Sequence, residues 1–197
     1  MKAINFLITG VGGQGTVLAS DILAAVGLAA GYDVKKSDIL GLAVRGGAVV
    51  GHVRWGERVH SPIVPEGRVD CLIAFEVLEC LRWLNQLRAE GTVLVNEQQI
   101  HPVTVSSGLA DYPDEETVSS ALQAATTNVY RIPGLELAQA LGNTRVTNVV
   151  LLGALSALLP VPPETWESVV QERVPARYVA LNLQALNMGR QWMEERA

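Results

Sequence analysis

Four glycines fall within six residues in the run Gly10-Val11-Gly12-Gly13-Gln14-Gly15. The run stands between an apolar stretch, Ala3 to Ile8, and an apolar helical pattern from Thr16 to Ala30. Strand, tight turn and helix in that order bring bare backbone N–H groups to a helix N-terminus, which suits an anionic group. Glycine adds positive φ and close approach of a ligand or another chain, and Gln14 adds an amide that both donates and accepts. A second cluster, Arg45-Gly46-Gly47, carries a guanidinium of the kind that clamps a carboxylate or phosphate bidentately; its plainer role is a surface salt bridge.

Other chemistry-bearing residues are scattered. Glu76 follows the apolar run Val69 to Phe75, at the strand end where ligands bind in α/β sheets; it also suits the start of the next helix. Asn96 ends the run from Gly91 and either meets a ligand or caps a turn. Ser37 has no base beside it and no nucleophile-elbow context, so a hydrogen bond to substrate or loop is its expected role. Ser37, Arg45 and Glu76 are the catalytic candidates. Gly10, Gly12, Gly13, Gln14, Gly15, Gly46, Gly47 and Asn96 are the cofactor-binding ones. His52, His60 and His101 lack metal-ligand spacing, and His52 and His60 read as surface residues. Cys71 and Cys80 are the only cysteines. Two thiols do not hold an iron–sulfur cluster, which needs about four; they read as buried small hydrophobes.

The glycine turn supports three readings. Gly10, Gly12 and Gly15 fit the dinucleotide pattern G-x-G-x-x-G, with Asp38, or Lys35 and Lys36, at the end of the second strand to meet the ribose. The turn is otherwise a bare strand–helix connection, or a surface that meets another subunit or a different anion.

The elements that must position these residues alternate. Strands are expected at Ala3–Ile8, Tyr32–Lys36, Ala48–Trp55, Val69–Phe75, Gly91–Asn96 and Asn128–Ile132. Ser37 to Gly47 reads as a loop, and Gly56-Glu57 as a hairpin turn into a strand at Arg58–Ser61. Helices are expected at Thr16–Ala30, Glu76–Leu87, Glu115–Ala125 and from Pro133 to Leu141. Thr147 caps Asn148–Leu159, Pro162-Pro163-Glu164 starts a helix to Arg173, and Pro175 precedes a last one to about Glu195. This predicts one domain over residues 1–197, an α/β core (1–133) with a helical C-terminal part (134–197). The fold class is a three-layer α/β/α sandwich with a mixed, mostly parallel sheet. The 197 residues carry a net charge of −5 and no basic run, which speaks against nucleic-acid binding. The N-terminal apolar run is too short to span a membrane and lacks a signal-peptide pattern, so a cytoplasmic protein is expected.

Several motifs together resemble one family. Gly10-x-Gly-Gly-Gln-Gly15, Ser37-x-x-x-Gly41 and Arg45-Gly-Gly47 come first. Ser61-Pro62, Pro65, Ala74-Phe75-Glu76, Leu78-Glu79 and Gly91-Thr-Val-Leu-Val-Asn96 follow. Leu141-Gly-Asn143, Asn148-Val-Val-Leu-Leu-Gly-Ala154, Val174-Pro175, Asn182 and Gly189 complete the order. The chain resembles the small gamma-type subunit of 2-oxoacid:ferredoxin oxidoreductases, and within them the beta subunit of the indolepyruvate type. The resemblance implies a complex that oxidatively decarboxylates arylpyruvates to acyl-CoA and passes electrons to ferredoxin. Coenzyme A would be a co-substrate. Thiamine pyrophosphate and iron–sulfur clusters would sit on a large alpha subunit, so this chain would not act alone, and its glycine turn would face that subunit or the phosphates of the cofactor or coenzyme A. An orphaned interface would favour self-association. The family usually reads Glu-x-His-Gly-Met-x-Gln-Arg-Gly-Gly, whereas this chain reads Asp38-Ile39-Leu40-Gly41-Leu42-Ala43-Val44-Arg45-Gly46-Gly47. Leu40 and Val44 remove two hydrogen-bonding groups, which implies a more apolar substrate or a divergent paralogue.

Overall fold

A computed structural model describes residues 3–40 and 46–196, with the side chain of Leu40 outside the description. Arg45, Gly41, Leu42 and Val44 fall outside it as well. Six strands form one sheet: β1 (Ile4–Val11), β2 (Asp33–Leu40), β3 (Ala48–Gly56), β4 (Val69–Ala74), β5 (Leu87–Asn96) and β6 (Asn128–Ile132). Their order is β2-β3-β1-β4-β5-β6. β1, β4, β5 and β6 pair in parallel, and β3 runs antiparallel to both β1 and β2. The sheet is therefore mixed through one reversed strand.

The helices are α1 (Thr16–Ala29), α2 (Val77–Trp83), α3 (Val103–Ser106), α4 (Glu115–Ala125), α5 (Gly134–Ala140), α6 (Thr147–Leu158), α7 (Pro163–Arg173) and α8 (Val179–Glu194). Period-2 alternation divides the core between the two sheet faces. Phe6, Ile8, Ile73 and Leu94 pack with α1, α6, α7 and α8. Leu7, Leu72, Val93 and Val95 pack with α2 and α4. This is the three-layer sandwich the pattern implied. Every residue of α6 from Thr147 to Ser156 is buried, as expected of a helix apolar all round that lies between a sheet and another helix. Gly153 and Gly189 let α6 and α8 touch backbone to backbone: a Cβ on Gly153 would lie 2.0 Å from the Leu186 carbonyl oxygen.

The structure corrects several expectations, among them that the helix from Glu76 reaches Leu87, which instead opens β5. The hairpin at Gly56-Glu57 with a strand at Arg58–Ser61 does not form. Side chains take the place of a ladder there, with Asp33 Oδ2 accepting from Val59 N–H at 2.7 Å and Arg54 Nη1 donating to the carbonyls of Ser61 and Ile63. Pro62 and Pro65 have no N–H to give a strand. The second strand runs on to Leu40, so Ser37 and Asp38 are strand residues rather than loop. Lys36 pairs with Asp21 of α1 and with Asp38 at 2.7 Å, which pins this edge strand to the helix. Thr147 is the first residue of α6, not its cap, because its hydroxyl donates back to the Thr144 carbonyl. His52 is buried, not superficial: its Nδ1 accepts from Val64 N–H at 3.3 Å. Burial lowers its pKa.

Candidate functional site

The reversal of β3 brings the start of that strand to the sheet edge where β1 ends. The two glycine clusters meet there. Gly12 N–H donates to the Gly47 carbonyl at 2.8 Å, and Gly46 N–H to the Gly12 carbonyl at 3.4 Å. Gly13 and Gly15 have φ of 109° and 81°, the left-handed region that favours glycine. Gly15 has a second constraint: a Cβ there would lie 2.5 Å from Asn148 Nδ2, which donates to the Gly15 carbonyl at 3.3 Å. The turn is thus tied to α6, 133 residues away in the chain.

Gln14 folds inward and closes the turn. Its Oε1 accepts from Val11 N–H at 2.7 Å, and its Nε2 donates to the Phe75 carbonyl at 2.8 Å and to Gln98 Oε1 at 3.0 Å. Gly10 leaves room for it, since a Cβ at Gly10 would stand 2.9 Å from Gln14 Oε1. Asn96, fully buried, donates to the same Phe75 carbonyl and to Gln98 Oε1. Gln14, Asn96 and Gln98 therefore lock the ends of β1, β4 and β5 together.

Glu76 is 1% exposed at the N-cap of α2. Its Oε2 accepts from Glu79 N–H at 2.8 Å. Its Oε1 accepts from Ile100 N–H at 3.0 Å and from the Tyr112 hydroxyl. Both oxygens are engaged, so this carboxylate organises backbone. Burial, with Glu76 beside it, pushes the Tyr112 hydroxyl well above its usual range. Glu79 keeps Oε2 buried without a partner, and burial raises its pKa.

Beside the glycine turn lies a cleft of about 370 Å³, walled by Gly13, Gln14, Gly15, Gln98, Thr144, Arg145 and Asn148 among others. A smaller apolar hollow of about 140 Å³ shares Leu18, Arg145 and Asn148 with it and extends to Tyr178 and Leu181. The N-terminus of α1 has no side-chain cap and no acidic residue in its first turn, leaving it favourable to an anion. Arg145 is exposed at the cleft and makes no ion pair among the described residues. Sequence reasoning missed Gln98, Thr144, Arg145 and Tyr112 as site residues. Asn148 stood in a quoted motif whose role only the contact with Gly15 discloses.

Of the predicted residues, the glycines, Gln14 and Asn96 come together, with Glu76 behind them. Ser37 does not line this cleft. It pairs with His52 across β2 and β3, on the face away from α1, since its neighbours Lys36 and Asp38 face that helix. Arg45 is outside the described residues. The dinucleotide reading needs an acidic residue at the end of the strand next to β1. That neighbour here is the reversed β3, and Asp38 on β2 is committed to Lys36 and to the Ser20 hydroxyl at 2.8 Å. Cys71 and Cys80 are buried, their thiols pushed up to about 12 by burial. No group of three or more His, Cys, Asp or Glu among the described residues is placed to hold a metal ion.

A family profile described as pyruvate ferredoxin/flavodoxin oxidoreductase matches residues 5–192. The chain belongs to that family. Among its relatives, the indolepyruvate oxidoreductase subunit IorB of Thermococcus kodakarensis is 38% identical over 192 residues, covering 96% of this chain and 95% of that protein. The gamma subunit of the keto/oxoacid ferredoxin oxidoreductase from Geobacter sulfurreducens has the same fold, with a TM-score of 0.72 at 26% identity, covering 98% of this chain and 99% of that one. The 2-oxoglutarate:ferredoxin oxidoreductase of Magnetococcus marinus, solved with 2-oxoglutarate, coenzyme A and succinyl-CoA, contains the fold within a longer chain. There the TM-score is 0.77 at 20% identity, and the match spans all of this chain but 32% of that one. The fold therefore occurs both as a separate chain and as part of a larger one.

Proposed function

We propose that this chain is the small subunit of an indolepyruvate-type 2-oxoacid:ferredoxin oxidoreductase. The complex converts arylpyruvates to acyl-CoA with electrons passing to ferredoxin. The observation that carries this reading is the 38% identity with an indolepyruvate oxidoreductase subunit over nearly the whole of both chains. Thiamine pyrophosphate and the iron–sulfur clusters belong to a large partner subunit. The residues of this chain do not fit a cluster, because its two cysteines are buried in separate layers and a cluster needs about four accessible thiolates. Residues 1–197 work as one domain, in the cytoplasm; no helix among the described residues is long and apolar enough to cross a membrane.

The part this chain plays is structural and anion-binding. Gly10, Gly12, Gly13, Gln14 and Gly15, backed by Gly46, Gly47 and Asn96, shape the rim of the cleft toward the phosphates of coenzyme A. The uncapped α1 N-terminus and Arg145 supply positive potential there. Arg45 contributes to substrate binding, Ser37 belongs to the β2–β3 ladder away from the cleft, and Glu76 holds the surrounding backbone. Leu40 and Val44, where the family usually has His and Gln, suit a more apolar substrate. The test is reconstitution with the large subunit under anaerobic conditions, following indolepyruvate- and coenzyme A-dependent reduction of a viologen dye. Activity is expected only with both chains present. Full activity of the large subunit alone would refute the proposal.

A further inference from the structure

After β5 the chain leaves the cleft wall at Gln98 and makes an excursion over residues 97–114 that contains α3. Both ends of the excursion are fastened to one buried carboxylate, because Glu76 Oε1 accepts from Ile100 N–H and from the Tyr112 hydroxyl. Tyr112 oxygen in turn accepts from Leu78 N–H at 3.2 Å, and the His101 ring packs 4.9 Å from the Tyr112 ring. The tip is closed by Leu109 N–H and Ala110 N–H, both donating to the Thr104 carbonyl. On this fastened element Val103 and Leu109 are 83% and 81% exposed, the two most exposed large apolar side chains of the described residues. Apolar side chains displayed on an already ordered element have little backbone freedom left to lose on docking.

The surroundings carry a sign. Residues 97–116 contain five acidic side chains and no lysine or arginine. Arg131 answers Glu97 and Glu115, while Asp111, Asp114 and Glu116 form no ion pair among the described residues. We infer that the excursion is the docking element for the large subunit, through a surface that is apolar at its centre and basic at its rim. The inference rests on the proposed function. It also gives the occupant a sign, because a second copy of the same acidic rim, or an acidic electron carrier, would be repelled here. Gln98 belongs to the cleft wall and is bonded to Gln14. The excursion therefore starts from the cleft wall.

The test compares the full chain with V103D/L109D and V103K/L109K variants for binding to the purified large subunit, at low and high salt. Both substituted positions are solvent-facing, so the melting temperature is expected to stay at the wild-type value. The aspartate pair is expected to weaken binding by about tenfold or more, and the lysine pair further. Wild-type binding is expected to weaken with salt. Wild-type affinity in both variants would overturn the inference while leaving the subunit assignment standing. A wild-type chain that does not bind the large subunit would overturn the assignment itself. Loss of a self-associated form in the variants, with binding to the large subunit intact, would make the occupant a second copy and would also overturn the inference.

Discussion

His52 shows how one side chain can fasten a segment and tie its stability to pH. Its Nδ1 accepts from Val64 N–H, while Arg54, two residues along the same face of β3, takes the carbonyls of Ser61 and Ile63. Together they lash residues 61–64 onto the sheet. Accepting from Val64 requires Nδ1 to be unprotonated, and burial already holds the pKa of His52 below its ordinary value of about 6.5. The unfolded chain therefore binds a proton at His52 before the folded one does. The contribution is fully present above about pH 6.5 and is lost as pH falls toward the folded value, with a ceiling of about 1.4 kcal/mol per pH unit for a single group. His52→Asn keeps an acceptor without the titration. Urea midpoints at pH 7.5 and 5.5 should fall less for the variant than for wild type. Equal falls would remove His52 from the pH dependence.

Among the elements, the α6–α8 crossing is the tightest contact. A Cβ on Gly189 would stand 1.9 Å from the Val150 carbonyl oxygen and one on Gly153 2.0 Å from that of Leu186. Both obstacles are backbone, so the helices would have to part. Gly153→Ala or Gly189→Ala should cost about 3 kcal/mol or more in urea denaturation. Gly142→Ala, at φ 81° in open space, should cost only about 1–2 kcal/mol. Similar losses at all three positions would mean that the crossing is not specially tight. Periodicity made most elements legible: α4 and β6 begin and end as the sequence pattern has them, and α7 starts at Pro163, where proline is favoured. Alternation in Ala48–Trp55 identified β3 as a strand but says nothing of its direction. That depends on pairing with β1, whose partners stand 37 to 51 residues away in the chain. The false hairpin at Gly56-Glu57 has the same origin, since a turn signal does not disclose that Asp33 and Arg54 will take the following backbone groups.

Across the whole molecule the sheet divides two cores, and each holds one cysteine. Cys71 lies in the layer of α1, α6, α7 and α8, and Cys80 in the layer of α2 and α4. Both thiols are buried and pushed up to about 12, so neither should react with Ellman's reagent at pH 8 in the native chain. In urea both should become reactive along one curve, as two layers sharing one sheet unfold together. Cys80 reacting at lower urea than Cys71 would show that the α2–α4 layer comes away first. At this scale the cleft was half legible. The glycine clusters mark one wall because they need special backbone, whereas Thr144, Arg145 and Asn148 reach it only through the long return of the chain after β6. The reversed β3 has one more consequence. The β2–β3 ladder joins residues as near in sequence as Leu40 and Val49, but the ladder between β1 and β3 must bring Ile4 to Trp55. Short closures are entropically cheaper than long ones. During synthesis the hairpin can therefore be complete before it is inserted, and the line between β1 and β3 is the seam along which the sheet is sewn shut.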